Sequence, residues 1–259
     1  MAEEVAIEEV EDGHELRMGF FEHLDELRQR LTRAVISLAI GTGVGFFIAD
    51  RALDILREPF CRIPTVDNCE LTILDPTGTI IVYFRVALMI GGILSIPMVT
   101  YQVMMFILPG LTRKEKRYVL ASIPATTALF VIGTVFTWYV LLPPALGFLN
   151  NFQPQIFEPE WTADLYLSFV TSLIFWMGVA FQTPLVFFLI SLLGFVNSAT
   201  LIRQWRVAVI GASIAAALIT PTIDPVNMFL VMAPLLTLYA LSIVLVYFGH
   251  RMSGIDRED

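Results

Sequence analysis

Six long stretches of this 259-residue chain contain no Asp, Glu, Lys or Arg, and they limit the folds open to it. A helix that crosses a bilayer needs about 20 apolar residues. Five of the stretches hold one span each, and the first, at 34–49, becomes long enough when its helix is extended back through Leu31. Only 15% of the residues are charged, against about 25% in soluble domains. The sequence therefore predicts an all-α integral membrane protein. Its six spans are predicted near residues 31–50, 80–108, 118–142, 165–193, 207–220 and 226–248.

The basic residues set the orientation of these spans. With the N-terminus inside, twelve of the 16 Lys and Arg residues fall on the inner side and three on the outer side. This bias follows the positive-inside rule, so both termini are predicted to be cytoplasmic. Residues 1–17 are rich in acids and are interpreted as a disordered cytoplasmic tail, not a signal peptide. A six-helix domain is predicted over 18–250 and a short cytoplasmic tail over 251–259.

Proline and helix length indicate spans that are bent or short. Pro97, Pro124, Pro184 and Pro234 lie inside four of the predicted spans, and proline kinks a helix by removing a backbone donor. Repeated kinks favour a concave, curved bundle, although a plain bundle with scattered kinks fits the same pattern. The fifth span, at 207–220, rises only about 21 Å, whereas the hydrocarbon core is about 30 Å thick.

Three polar residues within or beside the spans have structural interpretations. Asp224 precedes Pro225, which is typical of an N-cap followed by proline at the first helical position. Arg85 lies ten residues after Asp75, so its side chain is expected to reach the outer headgroups. Gln182 is predicted near the middle of the fourth span, where it contacts either a neighbouring helix or a partner protein.

Two cysteines, Cys61 and Cys69, fall in the first predicted outer loop with seven residues between them. The outside of a membrane is oxidising, and a loop of this length can be closed by a disulfide. We predict the bridge, with two free thiols as the alternative.

The motifs of common membrane and soluble enzymes are absent from the sequence. It contains no HExxH, GxSxG or GxxxxGK[ST] and no pair of intramembrane aspartates. We therefore expect no catalytic residue, metal site or cofactor. Nucleic acid is not expected as a partner either, although the net charge of −8 says little on this point, because it owes much to the acidic tail and the outer loops.

Two short segments on the inner side concentrate charge. Residues 20–33 form an amphipathic pattern in which Glu26 and Arg30 are a favourable i,i+4 pair. In LPGLTRKEKRYVL, a single acid, Glu115, lies among four bases. Taken alone, both segments are compatible with solvated boundary elements that carry their own salt bridges.

Together these segments resemble a known family. The stretches HLDELRQRL (23–31), YQVMMFILPGLTRKEKR (101–117), PALGFL (144–149), YLSFVTSLIFWMGVAFQTPLVFFL (166–189) and LITPTIDP (218–225) occur in the order found in TatC. TatC is the polytopic subunit of the twin-arginine protein translocase. The resemblance runs from about residue 20 to residue 251.

This resemblance implies which residues bind cargo. Proteins of this family receive folded proteins whose signal peptide bears two consecutive arginines. The acids at the family's recognition positions are Glu26 and Glu115, and Phe106 matches an aromatic residue near the recognition loop. A carboxylate accepts two parallel hydrogen bonds from a guanidinium, which an ammonium group cannot reproduce.

Four further positions match the family one at a time. Pro59 corresponds to a proline of the first outer loop, Arg85 to a base of the second span and Asp224 to an acid between the last two spans. Gln182 stands where many relatives have Glu and some have Gln.

The function implied is that of a receptor and scaffold in the cytoplasmic (inner) membrane. It would work with single-span partners of the TatA and TatB kind, self-associate in a multi-subunit complex, and use the proton-motive force. A secondary transporter for a small solute is the alternative, but buried charge is nearly absent and no inverted repeat is evident. An intramembrane hydrolase would lack a nucleophile and a base.

Overall fold

Helices make up most of the part of the chain that the structure describes. The computed structural model describes residues 20–63, 69–107, 113–153, 155, 160–192, 194–220 and 224–253. The helices are α1 (Phe20–Cys61), α2 (Gly78–Ile107), α3 (Arg113–Phe136), α4 (Leu142–Asn151), α5 (Ala163–Ala180), α6 (Thr183–Leu192), α7 (Ser198–Arg203), α8 (Trp205–Ile219) and α9 (Pro225–Ser253). The predicted acidic tail at 1–17 lies outside the described residues.

Five helical stretches are long and apolar enough to cross a bilayer. They are Leu24–Cys61, Gly78–Phe106, Ile123–Asn151, Ala163–Leu192 and Pro225–Gly249. The sixth apolar helix is α8, which has only 15 residues. The predicted all-helical membrane fold is thus confirmed, and α8 lies where the short fifth span is predicted.

Helices α1 and α2 form an antiparallel pair with a very close contact. Gly41 faces Gly91, and a Cβ atom added at Gly41 would lie 2.8 Å from the carbonyl oxygen of Gly91. One turn further, a Cβ at Gly45 would approach the carbonyl oxygen of Ala87 still more closely. Small residues spaced four apart let membrane helices approach backbone to backbone, so this pair fixes the register of the two helices.

Helix α1 is longer than the predicted first span, because it continues past Asp50 to Cys61. Pro59 and Cys61 therefore lie in the last turns of a helix, and the prediction that they belong to a loop is wrong. Two features support this extension. The exposed side is stabilised by the ion pairs Arg57–Asp54 and Arg62–Glu58. On the opposite side Leu56 and Phe60, four residues apart, are both buried.

The end of α1 is tied to the start of α5 by a small assembly that we call the cap, comprising residues 56–63, 69–75 and 160–166. Cys61 and Cys69 form the predicted disulfide, with Cα atoms 5.0 Å apart. Thr72 pairs with Thr162 in an isolated parallel β-bridge. The hydroxyl of Tyr166 donates to the carbonyl oxygen of Leu56 at 2.8 Å. We call the side of the molecule that carries these residues the cap side.

Two spans depart from a continuous α-helix. Between α3 and α4 the chain forms a π-helical turn, Thr137–Leu141. Between α5 and α6 it breaks at Phe181 and Gln182, next to the predicted Pro184 kink. Proline lacks an N–H to continue the helical hydrogen bonds, so the break has a clear local cause.

Helix α9 begins as the sequence predicts. The Oδ1 atom of Asp224 accepts a hydrogen bond from the backbone N–H of Asn227 at 2.7 Å. Pro225 is the first residue of the helix, where its missing N–H costs nothing. Asp224 is therefore an N-cap.

Candidate functional site

The carboxylate of Glu26 is held in a fixed position near the start of α1. Its Oε1 atom accepts hydrogen bonds from Nε of Arg30, at 2.8 Å, and from Nη2 of the same residue. The Glu26 side chain is only 17% exposed. The i,i+4 pair predicted from the sequence is therefore present, and it is largely withdrawn from solvent.

The two faces of this first segment are arranged in an unexpected way. Leu24, Leu27 and Leu31, the apolar stripe, are all exposed, whereas Glu26 and Arg30 are half-buried. An exposed leucine stripe suits contact with lipid rather than with the protein core. The charged pair consequently faces inward, which is not how a merely solvated boundary helix would be arranged.

An apolar groove of about 470 Å³ begins near this pair. Helix α1 contributes Ala34, Val35 and Leu38 to one wall. Ala34 follows Glu26 by eight residues, which is about 12 Å along a helix. The remaining walls come from α2, α3, α5 and α6, and their polar members are Ser95, Thr100, Thr126 and Gln182. The predicted concave surface thus exists, and one end of it lies close to Glu26.

The helix register brings Phe106 to the level of Glu26. In the antiparallel pair, Gly41 faces Gly91. Glu26 lies fifteen residues before Gly41, and Phe106 lies fifteen residues after Gly91. Phe106 is half-buried in the last turn of α2. Two of the three residues predicted to bind the signal peptide therefore lie at the same height in the bundle.

The third of these residues, Glu115, belongs to the first turn of α3. Its side chain lies outside the described residues. Its proximity to Glu26 stays a prediction.

Gln182 occupies the break between α5 and α6 and lines the groove. Its backbone is fixed, because its N–H donates to Val179 and its carbonyl oxygen accepts from the N–H groups of Leu185 and Val186, each at 3.0 Å. Its side-chain amide forms no hydrogen bond with any residue in the described ranges. Within this part of the chain the amide is therefore not used as a link between helices, and it remains available at the groove wall.

Arg85 has a partner within the protein that the sequence did not predict. Its Nη1 atom donates to Oδ1 of Asp164 at 2.6 Å and to the main-chain oxygen of the same residue at 3.0 Å. The expected reach of the Arg85 side chain to the outer headgroups stays a prediction. Asp164 was missed because it lies 79 residues away in sequence. The sequence did contain one indication of this pairing, because both residues fall near the same end of parallel spans.

The described residues contain no group of three or more His, Cys, Asp or Glu side chains that could hold a metal ion. The groove itself has no charged lining residue. Its geometry therefore suits an elongated apolar segment better than a polar solute.

Comparison with known proteins gives a consistent result. Residues 22–234 match the family model for the Sec-independent protein translocase protein (TatC). The chain is 34% identical over 244 residues to the Sec-independent protein translocase protein TatC of Koribacter versatilis, which covers 93% of this chain and 90% of that one. It is 35% identical over 233 residues to the chloroplastic TATC of Arabidopsis thaliana, covering 90% and 66%. A crystal structure of the twin arginine translocase receptor TatC matches with a TM-score of 0.80 at 33% identity, covering 88% of this chain and 99% of that one.

Proposed function

Because this chain belongs to the TatC family, we propose that Glu26 and Glu115 bind the paired arginines of a signal peptide while the groove holds its apolar segment. Members of this family are the multi-pass membrane subunit and receptor of the Sec-independent, twin-arginine translocase. This chain is such a subunit. The residues that bind the signal are the part that remains to be tested.

The position of Glu26 is the observation that supports this proposal most strongly. A half-buried carboxylate lies about 12 Å from the first residue of an apolar groove. A twin-arginine signal has the matching order, with its charged pair followed by an apolar stretch. Charge-assisted hydrogen bonds gain strength when water is partly excluded, so Glu26 is better placed to bind a guanidinium than an exposed acid would be.

The ion pair with Arg30 prepares Glu26 for this role. Arg30 keeps the carboxylate in one rotamer, so less side-chain entropy is lost when a ligand binds. A hydrogen bond to a charged group contributes only about 1.5–3 kcal/mol net. The apolar part of the signal must therefore supply much of the affinity, at about 25 cal/mol for each Å² of apolar surface buried in the groove.

Gln182 and the same groove are proposed to serve the assembly of the translocase. We assign the Gln182 amide to a polar contact with the membrane helix of a single-span partner of the TatA or TatB kind, because it lines the groove with unused hydrogen-bonding capacity. We further propose that the protein self-associates and that the complex uses the proton-motive force. It would lie in the cytoplasmic membrane with both termini inside. The basic residues on the inner side support that orientation.

Site-specific crosslinking tests the placement of the signal. A photoreactive residue at Val35 or Val103, both on the groove wall, should crosslink to a bound twin-arginine peptide. The control position is Phe47 of α1, which is 91% exposed and does not line the groove. Crosslinks from Phe47 that equal those from the groove positions would show that the peptide lies elsewhere.

A further inference from the structure

A second cavity lies on the cap side and is separate from the groove. It measures about 300 Å³ and is enclosed by the end of α1, the π-helical turn and α4. Arg62 and Ile63 lie on one wall, and Trp138, Tyr139 and Gly147 lie on the other. This volume is at the lower end of the range for small-ligand sites, about 300–1,000 Å³.

The depth of the cavity corresponds to a membrane boundary. Trp138 follows Arg117, the last base of the inner loop, by 21 residues. A helix of that length rises about 31 Å, which equals the thickness of the hydrocarbon core, about 30 Å. Trp and Tyr are enriched where hydrocarbon meets headgroups. The cavity mouth is therefore at the headgroup level of the leaflet on the cap side, the outer leaflet in the orientation proposed above.

The lining combines one cation, polar groups and an apolar floor. Nη2 of Arg62 donates to Glu58 at 2.6 Å, while its Nε and Nη1 atoms form no hydrogen bond with any described residue. The amide nitrogen of Asn151 donates to Gly147, which leaves its Oδ1 atom as an acceptor at the cavity. Pro59, Pro143 and Leu146 supply apolar surface. The lining itself contains no acid.

We propose that this cavity binds the headgroup of an anionic phospholipid of the phosphatidylglycerol type. The phosphodiester accepts hydrogen bonds from the unused donors of Arg62, as anions at such sites commonly do. The glycerol hydroxyls of the headgroup donate to Asn151 Oδ1, and the acyl chains leave across Trp138 and Tyr139 into the bilayer. A zwitterionic headgroup fits less well, because the lining itself contains no acid for its ammonium group and Glu58, beside the cavity, is already paired with Arg62.

Gly147 offers a way to close this cavity without disturbing the protein. A Cβ atom built on Gly147 meets no other atom within 4 Å, so a larger side chain there enters the empty space. Leucine in place of glycine also favours the helix itself. Gly211 of α8 has the same open surroundings but lies far along the chain from this cavity and does not line it. Gly147→Leu and Gly211→Leu therefore change helix propensity equally, but only Gly147→Leu fills the cavity.

Native mass spectrometry of the delipidated protein, titrated separately with phosphatidylglycerol and phosphatidylcholine, tests the proposal. Wild type and Gly211→Leu should each retain one tightly bound phosphatidylglycerol molecule that Gly147→Leu lacks. Arg62→Gln should weaken that one site about tenfold for phosphatidylglycerol, because a charge-assisted hydrogen bond is lost, and should change the weaker phosphatidylcholine binding less. Arg62 is largely exposed, so this variant remains informative even if Gly147→Leu folds poorly.

Three results would overturn the assignment. Equal phosphatidylglycerol occupancy in wild type and Gly147→Leu would show that the lipid binds elsewhere. Equal affinity for both lipids, unaffected by Arg62→Gln, would remove the role of the guanidinium. Full displacement of the lipid by soluble glycerol phosphate at equal concentration would identify a site for a free phosphate compound and not for a membrane lipid.

Discussion

Arg85 binds Asp164 twice through a single guanidinium nitrogen, at 2.6 Å to the carboxylate and at 3.0 Å to the main-chain oxygen. Arg85 is in the second turn of α2 and Asp164 in the first turn of α5. The carboxylate also lies near the positive end of the α5 dipole. These two helices, which are far apart in sequence, are thereby joined on the cap side.

A double-mutant cycle should measure this link. With Arg85→Gln, Asp164→Asn and the double variant, we expect a coupling of about 0.5–1 kcal/mol in denaturant unfolding, since both side chains are partly exposed. Added salt should reduce the coupling. The exposed pair Asp54–Arg57 is the control and should couple less. Additive effects at Arg85 and Asp164 would contradict a stabilising pair.

The contact between α1 and α2 predicts opposite effects at two nearby glycines. Gly45→Ala should destabilise the fold by about 1–3 kcal/mol, because the added methyl meets the backbone oxygen of Ala87, which cannot rotate away. Gly43→Ala meets nothing within 4 Å and should be neutral or stabilising by up to about 1 kcal/mol. Thermal unfolding in detergent compares the two directly. Similar losses at both positions would rule out the close approach as the cause.

The disulfide between Cys61 and Cys69 should stabilise the cap. Closing a loop of this size contributes about 2–3 kcal/mol in the chain-entropy model. Reductant should therefore lower the unfolding temperature of the wild type, and it should have no effect on Cys69→Ser. A mass spectrum without reductant should contain the linked peptide. Recovery of both residues as alkylated thiols would contradict the bridge.

Glu26 and Glu115 should distinguish a signal peptide with paired arginines from one with paired lysines. Glu26→Ala is expected to weaken binding of an Arg-Arg peptide by about tenfold or more, because charge-assisted hydrogen bonds of a half-buried carboxylate are lost. Glu115→Ala should act in the same direction. A Lys-Lys peptide binds poorly from the start, so both variants should change its affinity much less.

Asp25→Ala is the control for these measurements, since Asp25 is an exposed acid next to Glu26 and its loss should have little effect. Salt should weaken the wild-type interaction. Equal losses for the Arg-Arg and Lys-Lys peptides would mean that the acids only maintain local structure.

Substitutions at Gln182 should test partner binding separately from signal binding. Gln182→Leu should weaken co-purification of a single-span partner, because the groove wall loses its hydrogen-bonding amide. Affinity for the signal peptide should not fall, because the apolar segment of the signal needs no amide from the groove wall. Gln182→Glu keeps a polar group at the same place and should retain the partner. Unchanged association in Gln182→Leu would leave the residue with a role in the break between α5 and α6 only.

The sequence alone predicted those structural features that depend on a local pattern of residues. Hydropathy located the apolar helices, the order Asp224–Pro225 predicted an N-cap that the structure contains, and spacing predicted the disulfide. Glu26 and Arg30 form their predicted pair because only one helical turn separates them.

Features that depend on distant residues could not be predicted in this way. The partner of Arg85 is 79 residues away, and its identity depends on which helices are neighbours. The extension of α1 past Asp50 depends on packing of Leu56 and Phe60 beneath the cap, whereas the surrounding charges suggested a loop. The π-helical turn at Thr137–Leu141 has no distinctive composition. The inward orientation of Glu26 likewise depends on how α1 is seated against its neighbours.

The uninterrupted length of α1 has a mechanical consequence. Glu26 and Leu56 lie thirty residues apart on the same helix, a lever arm of about 45 Å. At its far end this lever is pinned by the hydrogen bond from Tyr166 to Leu56 and by the disulfide. If the pinned end acts as the pivot, a tilt of only about 5° displaces Glu26 by roughly 4 Å over that arm, more than the length of a hydrogen bond. A load applied at the Glu26 end of the helix is therefore transmitted as a torque to the cap side.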